Sequence, residues 1–267
     1  MRLEGKVAVI TGASRGVGRA VALALAREGC DVALASKTVE PHPKLEGTIV
    51  EVAKEVEQLG RKALPIATDV RQVEQIQDLA ARTADELGGI DILINNAGAA
   101  WWKPIEETPP KRFDLVMDVN CKGPFFLAQA VLPHMRKGGW GHIVNMSPPI
   151  HPAMAEGKIA YMISKFGMSL LSVGLGAELR EENIAVNSLW PVTLVESAAT
   201  IHLGLGKPED WRKPDILADA TVAIVTTEPS ERSGETLIDE DVLRAAGVTD
   251  FNDYACVAGS TPRRIPW

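Results

Sequence analysis

Tyr161 and Lys165 stand four residues apart in Tyr161-Met-Ile-Ser-Lys165, a spacing that sets both side chains on one face of a helix. A phenol is a poor base near neutrality, because its unperturbed pKa is ~10. A neighbouring ammonium favours the phenolate, so the pair can exchange a proton with a substrate oxygen. The same spacing also suits an ordinary surface pair, and the surroundings must decide. Upstream, Ser147 ends an apolar run and either polarises a carbonyl near Tyr161 or caps the turn into Pro148-Pro149. Asn120, in Asp118-Val-Asn120, either joins them or satisfies backbone groups at a kink.

A second constellation can hold an anion. Thr11-Gly-Ala-Ser-Arg-Gly-Val-Gly18 follows the first apolar run directly and opens a helical stretch, the context that a glycine-rich nucleotide loop requires. Gly12 allows the tight turn, Gly16 lets backbone approach a pyrophosphate, and Gly18 lets helix and strand pack closely. The helix start adds free N–H groups and a positive dipole end. At the end of the second strand, where an acid would select the free ribose of NAD, the residues are Ala35-Ser36-Lys37. With Ser36 in that place, and Arg15 and Lys37 able to meet a 2′-phosphate, the expected cofactor is NADP(H), with NAD(H) as the alternative. Arg15 and Lys37 read as plain solvated cations otherwise.

Elements that position these residues follow from the alternation of short apolar runs with helical stretches, which specifies a parallel sheet with helices on both faces. Strands are expected at Lys6–Thr11, Asp31–Ser36, Lys62–Ala67, Ile90–Asn95, His142–Ser147, Ile184–Leu189 and Glu235–Asp239. Helices are expected near 16–28, 47–59, 72–87, 111–137, 157–181 and 214–226. The fold class is thus α/β, a single Rossmann-type doubly wound parallel seven-stranded sheet of order 3-2-1-4-5-6-7. Residues 1–240 form the nucleotide-binding domain and 241–267 a C-terminal extension of it, read as an extended arm anchored by Trp267. Thr38–Lys44, around His42, and Pro191–Lys213 read as loops; long loops of this kind are lids or binding loops.

Bulk properties narrow the partners. A chain of 267 residues with 46% hydrophobic and 24% charged residues suits one globular domain. Its formal charge of −7 argues against nucleic acid as a partner. No stretch reads as a membrane span. Cys30, Cys121 and Cys256 are odd in number and widely spaced, so neither a disulfide framework nor a metal site is expected, and the cytoplasm is the expected setting. Trp101 and Trp102 either wall a cleft or cover a core edge or subunit contact; His151 and His202 read as exposed loop residues.

Taken together, the glycine turn, Asp69-Val70, Asn95-Asn-Ala-Gly98, Asn120, Ser147 and the Tyr161/Lys165 pair resemble the short-chain dehydrogenase/reductase superfamily from the first strand to the seventh. Within it, Ser36–Thr48, Met146-Ser-Pro-Pro149, Ala185–Pro191 and Ile238-Asp-Glu240 are similar to the hydroxysteroid dehydrogenase-like reductases and their bacterial relatives. The resemblance implies that Tyr161 is the proton donor or acceptor. Lys165 then lowers its pKa and binds the nicotinamide ribose. Ser147 orients the substrate oxygen, and Asn120 holds a water that links Lys165 to solvent. Gly12, Ser14, Arg15, Gly16, Val17 and Gly18 cradle the cofactor, Ser36 and Lys37 meet the adenosine ribose, and Asp69 and Val70 bracket the adenine. Asn96, Ala97 and Gly98 line the cofactor, and Pro191, Thr193 and Val195 face the nicotinamide amide or the phosphates. The implied activity is hydride transfer on a small-molecule carbonyl or alcohol, by a homodimer or homotetramer. A silent nucleotide-binding scaffold or sensor and an epimerase or dehydratase remain the alternatives.

Overall fold

Continuous apolar runs become strands because a parallel sheet is covered on both faces. In the computed structural model, which describes residues 1–41 and 46–265, these are β1 (Val7–Thr11), β2 (Asp31–Ser36), β3 (Ala63–Ala67), β4 (Ile92–Asn95), β5 (Gly141–Met146) and β6 (Ile184–Trp190). Two-residue strands β7 (Leu194–Val195) and β8 (Trp211–Arg212) pair with each other in a separate small sheet, Arg212 also bridging to Ala255, and β9 (Thr236–Ile238) completes the main sheet. Its order is β3-β2-β1-β4-β5-β6-β9, with every pairing parallel. That is the expected seven-stranded order, β9 being the seventh strand of the sheet.

Helices α1 (Gly16–Arg27), α2 (Ile49–Gln58), α8 (Asp215–Val225) and α9 (Asp239–Ala245) cover one face. Their apolar sides meet Ala8, Ile10, Val32, Leu34 and Ile94. The alternate residues Val9, Ala33, Leu93 and Ile143 point to the other face, into a core shared with α3 (Val73–Leu87) and α5 (Gly123–Gly138). The period of two along each strand thus builds two cores from one sheet. Thr48 and Glu51 form a reciprocal capping box that starts α2.

Three expectations change. The helix expected over 111–137 is α4 (Pro110–Met117), a π-helical turn at Asp118–Lys122, and α5. Pro124 explains the break, since it has no N–H to continue the ladder and its ring crowds the carbonyl of residue 120. The segment after β6 is not a plain loop: it contains β7, α7 (Ala198–His202) and β8. The tail is not extended from its start, because α9 begins at Asp239. Acidic Asp239, Glu240 and Asp241 in its first turn and Arg244 in its last complement the helix dipole. The proposed loop centre at His42 and the anchoring Trp267 lie outside the described residues.

The remaining long helix, α6 (Ile159–Glu178), carries Tyr161 and Lys165. It has the length and apolarity of a membrane span, with a mean hydropathy of 1.3, whereas the sequence reading found no such stretch. Half of that window is buried inside the fold. The exposed part includes Ile163, Leu170 and Val173.

Candidate active site

Every candidate residue of the glycine turn sits at the carboxyl edge of the sheet, beyond β1. Gly12 and Gly16 both have positive φ, at 65° and 52°, which favours glycine. A Cβ at Gly12 would lie 2.9 Å from Asn96 Nδ2, and one at Gly18 would lie 2.3 Å from the Gly12 carbonyl oxygen. The turn is therefore closed against both the helix and the Asn95–Gly98 segment, whose Asn96 Nδ2 donates to the Thr11 and Gly12 carbonyls. Above it opens a cavity of about 640 Å³. Its walls include Gly12, Ser14, Arg15, Gly16, Val17, Ser36, Lys37, Asp69, Val70, Asn96, Ala97, Gly98, Tyr161 and Lys165.

Gly18 packs behind that cavity, while Pro191, Thr193 and Val195 line a neighbouring one of about 450 Å³. Val17, Asn96, Ala100, Tyr161, Lys165, Ser197 and Ala199 border both. The shape fits a dinucleotide: a glycine cradle at the start of α1, and a buried Thr193 whose Oγ1 has no partner among the described residues. At the far end, Arg15 donates to the carbonyls of Glu46 and Gly47 at 2.7 and 2.9 Å. Asp69 is held by Arg71, whose hydrogen bonds keep its carboxyl below the usual range. Its charge is thus compensated, and Lys37 Nζ stands 3.9 Å away.

Tyr161 and Lys165 lie on consecutive turns of α6 where the two cavities meet. Burial is the dominant influence on both and drives them in opposite directions. It pushes the Tyr161 phenol up and the Lys165 ammonium down to about 8. Lys165 Nζ donates to the Met146 carbonyl at 2.7 Å, which fixes the ammonium at the end of β5. Trp102 lies against Tyr161, their ring centroids 6.0 Å apart; of the two readings of the Trp pair, Trp102 is a cavity wall.

Asn120 is fully buried in the π-helical turn. Its Oδ1 accepts from Ala99 N at 2.8 Å, and its Nδ2 donates to the Ala99 carbonyl at 2.8 Å and to Ser164 Oγ at 2.9 Å. Both N–H groups are taken up by protein. The side chain thus satisfies backbone groups of the segment after β4 and braces that segment against α6. Ser147 departs further from expectation. It is fully buried and borders neither cavity; its hydroxyl lies 2.6 Å from the Lys165 carbonyl and 2.7 Å from Ser169 Oγ. Facing α6, it pins the helix that carries Tyr161.

Several wall residues escaped sequence reading. Ser197, Ala198 and Ala199 reach the larger cavity from the start of α7, and Arg263, Arg264 and Ile265 line the smaller one from the tail. Ile265 N donates to the Val192 carbonyl at 2.7 Å, and Arg264 Nη1 reaches Glu240 at 2.7 Å. Burial raises the Glu240 carboxyl, but hydrogen bonds from Arg264 and Arg212 outweigh it and hold the group below its usual range. Asp239 Oδ1 accepts from Val192 N at 2.9 Å, so α9 is tied both to the segment after β6 and to the tail. The Pro262-Arg-Arg-Ile265 run was the available signal: two adjacent cations followed by an isoleucine.

Comparison with known proteins agrees with this geometry. The family model for short chain dehydrogenase matches residues 6–203. Hydroxysteroid dehydrogenase-like protein 2 of Xenopus tropicalis is 43% identical over 261 residues, which cover 97% of this chain and 62% of that protein. The chain therefore spans less than two thirds of that relative. Among solved structures, a short chain dehydrogenase of Mycobacterium thermoresistibile is 43% identical with a TM-score of 0.92, over 99% of this chain and 95% of that one. A metagenomic short-chain oxidoreductase in complex with NADP is 29% identical, with a TM-score of 0.76 over 89% and 98% of the two chains. Carveol dehydrogenase of Mycobacterium avium in complex with NAD is 26% identical, with a TM-score of 0.77 over 89% and 96%.

Proposed function

The chain belongs to the short-chain dehydrogenase family, and from that premise we propose that it interconverts a small carbonyl compound and its alcohol with NADP(H), Tyr161 moving the proton. The observation that carries this reading is the position of Tyr161 and Lys165 on the wall common to a nucleotide-shaped cavity and a mostly apolar one. When bound, the nicotinamide supplies or accepts the hydride. The chain's own residues do the rest. Burial keeps Tyr161 protonated, so in reduction its O–H donates to the substrate oxygen as charge develops there. Lys165 retains most of its charge near pH 7, and in the reverse direction that charge favours the phenolate. Apolar walls exclude water from the exchange. Arg15 and Lys37, with Ser36 in place of an acid, support NADP(H) over NAD(H) at the adenosine end.

The same reading extends to assembly and setting. Exposed Phe125, Ile163, Leu170 and Val173 on α5 and α6 support a homodimer or homotetramer built through those helices. Three free cysteines support a reducing cytoplasm.

Cofactor titration beside steady-state kinetics tests the proposal. NADPH should bind more tightly than NADH, and Tyr161→Phe should lower turnover by ~10²–10⁴ while leaving NADPH affinity within about twofold. Near-wild-type turnover in Tyr161→Phe refutes the mechanism. Equal affinities for the two cofactors refute the assignment at the ribose.

A further inference from the structure

The smaller cavity is more positively charged than its apolar walls require. Trp102, Met146, Met154, Leu189, Leu203 and Leu217 set its character, yet Lys158, Lys165, Arg263 and Arg264 also line it, and no Asp or Glu does. Two of these cations already have partners within the protein. Lys165 Nζ donates to the Met146 carbonyl, and Arg264 pairs with Glu240. Arg263 is exposed. Lys158 differs from all three: it is half-buried, and among the described residues no carboxylate stands within ion-pair reach of it.

Its place is specific. Lys158 precedes the first residue of α6, three positions before Tyr161. Its Nζ lies 4.5 Å from the centroid of the Trp102 ring, and that ring lies 6.0 Å from the ring of Tyr161. The ammonium therefore sits at the Tyr161 end of the cavity. Burial lowers its pKa, the mark of a cation whose hydration is incomplete. The face of Trp102 attracts the charge but provides no acceptor oxygen. A cation left in apolar surroundings with an aromatic face as its neighbour is matched best by an anion that arrives with a ligand.

Resting on the carbonyl-reductase reading, we propose that the substrate is an aliphatic carbonyl compound bearing a carboxylate, and that Lys158 binds that carboxylate. The apolar walls then take the chain, and the carbonyl lies at Tyr161. Lys158 is a specificity residue in this arrangement and does not touch the reacting atoms.

Calorimetric titration of the NADP⁺-loaded protein with decanoate and with decanamide, matched in chain and differing in charge, tests this. Decanoate should bind at least about tenfold more tightly, the size expected of one charge-assisted contact. Lys158→Gln should reduce that preference to within about threefold, and Lys158→Arg should restore it. Equal binding of the two probes by the wild-type protein, or an undiminished preference in Lys158→Gln, overturns the proposal. NADP⁺ affinity is measured in the same samples. Loss of cofactor binding in the wild-type protein would instead strike at the underlying reductase reading, and the proposal would fall with it.

Discussion

At the scale of the residue, the side chains that chemistry needs are arranged differently from one another. Tyr161 faces cavity, whereas Ser147 faces helix. Removing the Ser147 hydroxyl takes an internal hydrogen bond from a fully buried site, which costs ~1–2 kcal/mol. Ser147→Ala should therefore lower the melting temperature measurably while kcat/KM falls less than about tenfold, short of the loss expected for a catalytic proton donor. A fall of a thousandfold with unchanged stability would return Ser147 to the reacting atoms. The glycine turn and the Tyr161/Lys165 pair were legible in sequence because local spacing alone fixes their geometry. The direction of Ser147 was not, since Ser169 and the Lys165 carbonyl, on another element, determine it. Lys158 was overlooked for a similar reason: its neighbour Trp102 comes from a distant segment.

At the scale of the element, strands were the easiest part to read, as buried parallel strands carry unbroken apolar runs. Helix ends and breaks were harder. Pro124 did announce the break after α4, but proline near a helix start is also common, and the contacts of Asn120 in the π-helical turn, with Ala99 and Ser164, come from other elements. Strand β5 carries a titratable group in a place no periodicity would suggest. His142 is buried, its Nε2 lies 3.1 Å from the Thr227 carbonyl, and burial lowers its pKa to about 4. Between that value and the ordinary 6.5, the unfolded chain binds a proton that the folded chain does not. Stability contributed by neutral His142 is thus present above 6.5 and is lost as pH falls toward 4. Urea unfolding at about pH 7 and about pH 5 should show the wild type losing ~2 kcal/mol more than His142→Gln. Parallel losses in the two proteins would show that His142 is not the sensor.

At the scale of the whole molecule, α5 and α6 leave apolar side chains uncovered beside the site, with Leu170 62% exposed. A charge at that position opposes association of two such faces and costs the isolated fold little. Leu170→Glu should sediment as a monomer at micromolar concentration where the wild type sediments as an oligomer, with its melting curve otherwise cooperative. Identical sedimentation of both proteins would move the contact elsewhere. The sheet order and its crossovers were readable from the alternation of elements. The return of the tail across the strand β6 exit was not, because the contacts of Ile265 and Arg264 join residues far apart in sequence.

Two cavities with a common partition cannot be filled independently. Val17, Asn96, Ala100, Tyr161, Lys165, Ser197 and Ala199 belong to both, so a ligand that settles these seven side chains on one side changes what the other side offers. Linkage makes that influence reciprocal: whatever factor a ligand in one cavity adds to the affinity for a ligand in the other, the second must add to the affinity for the first.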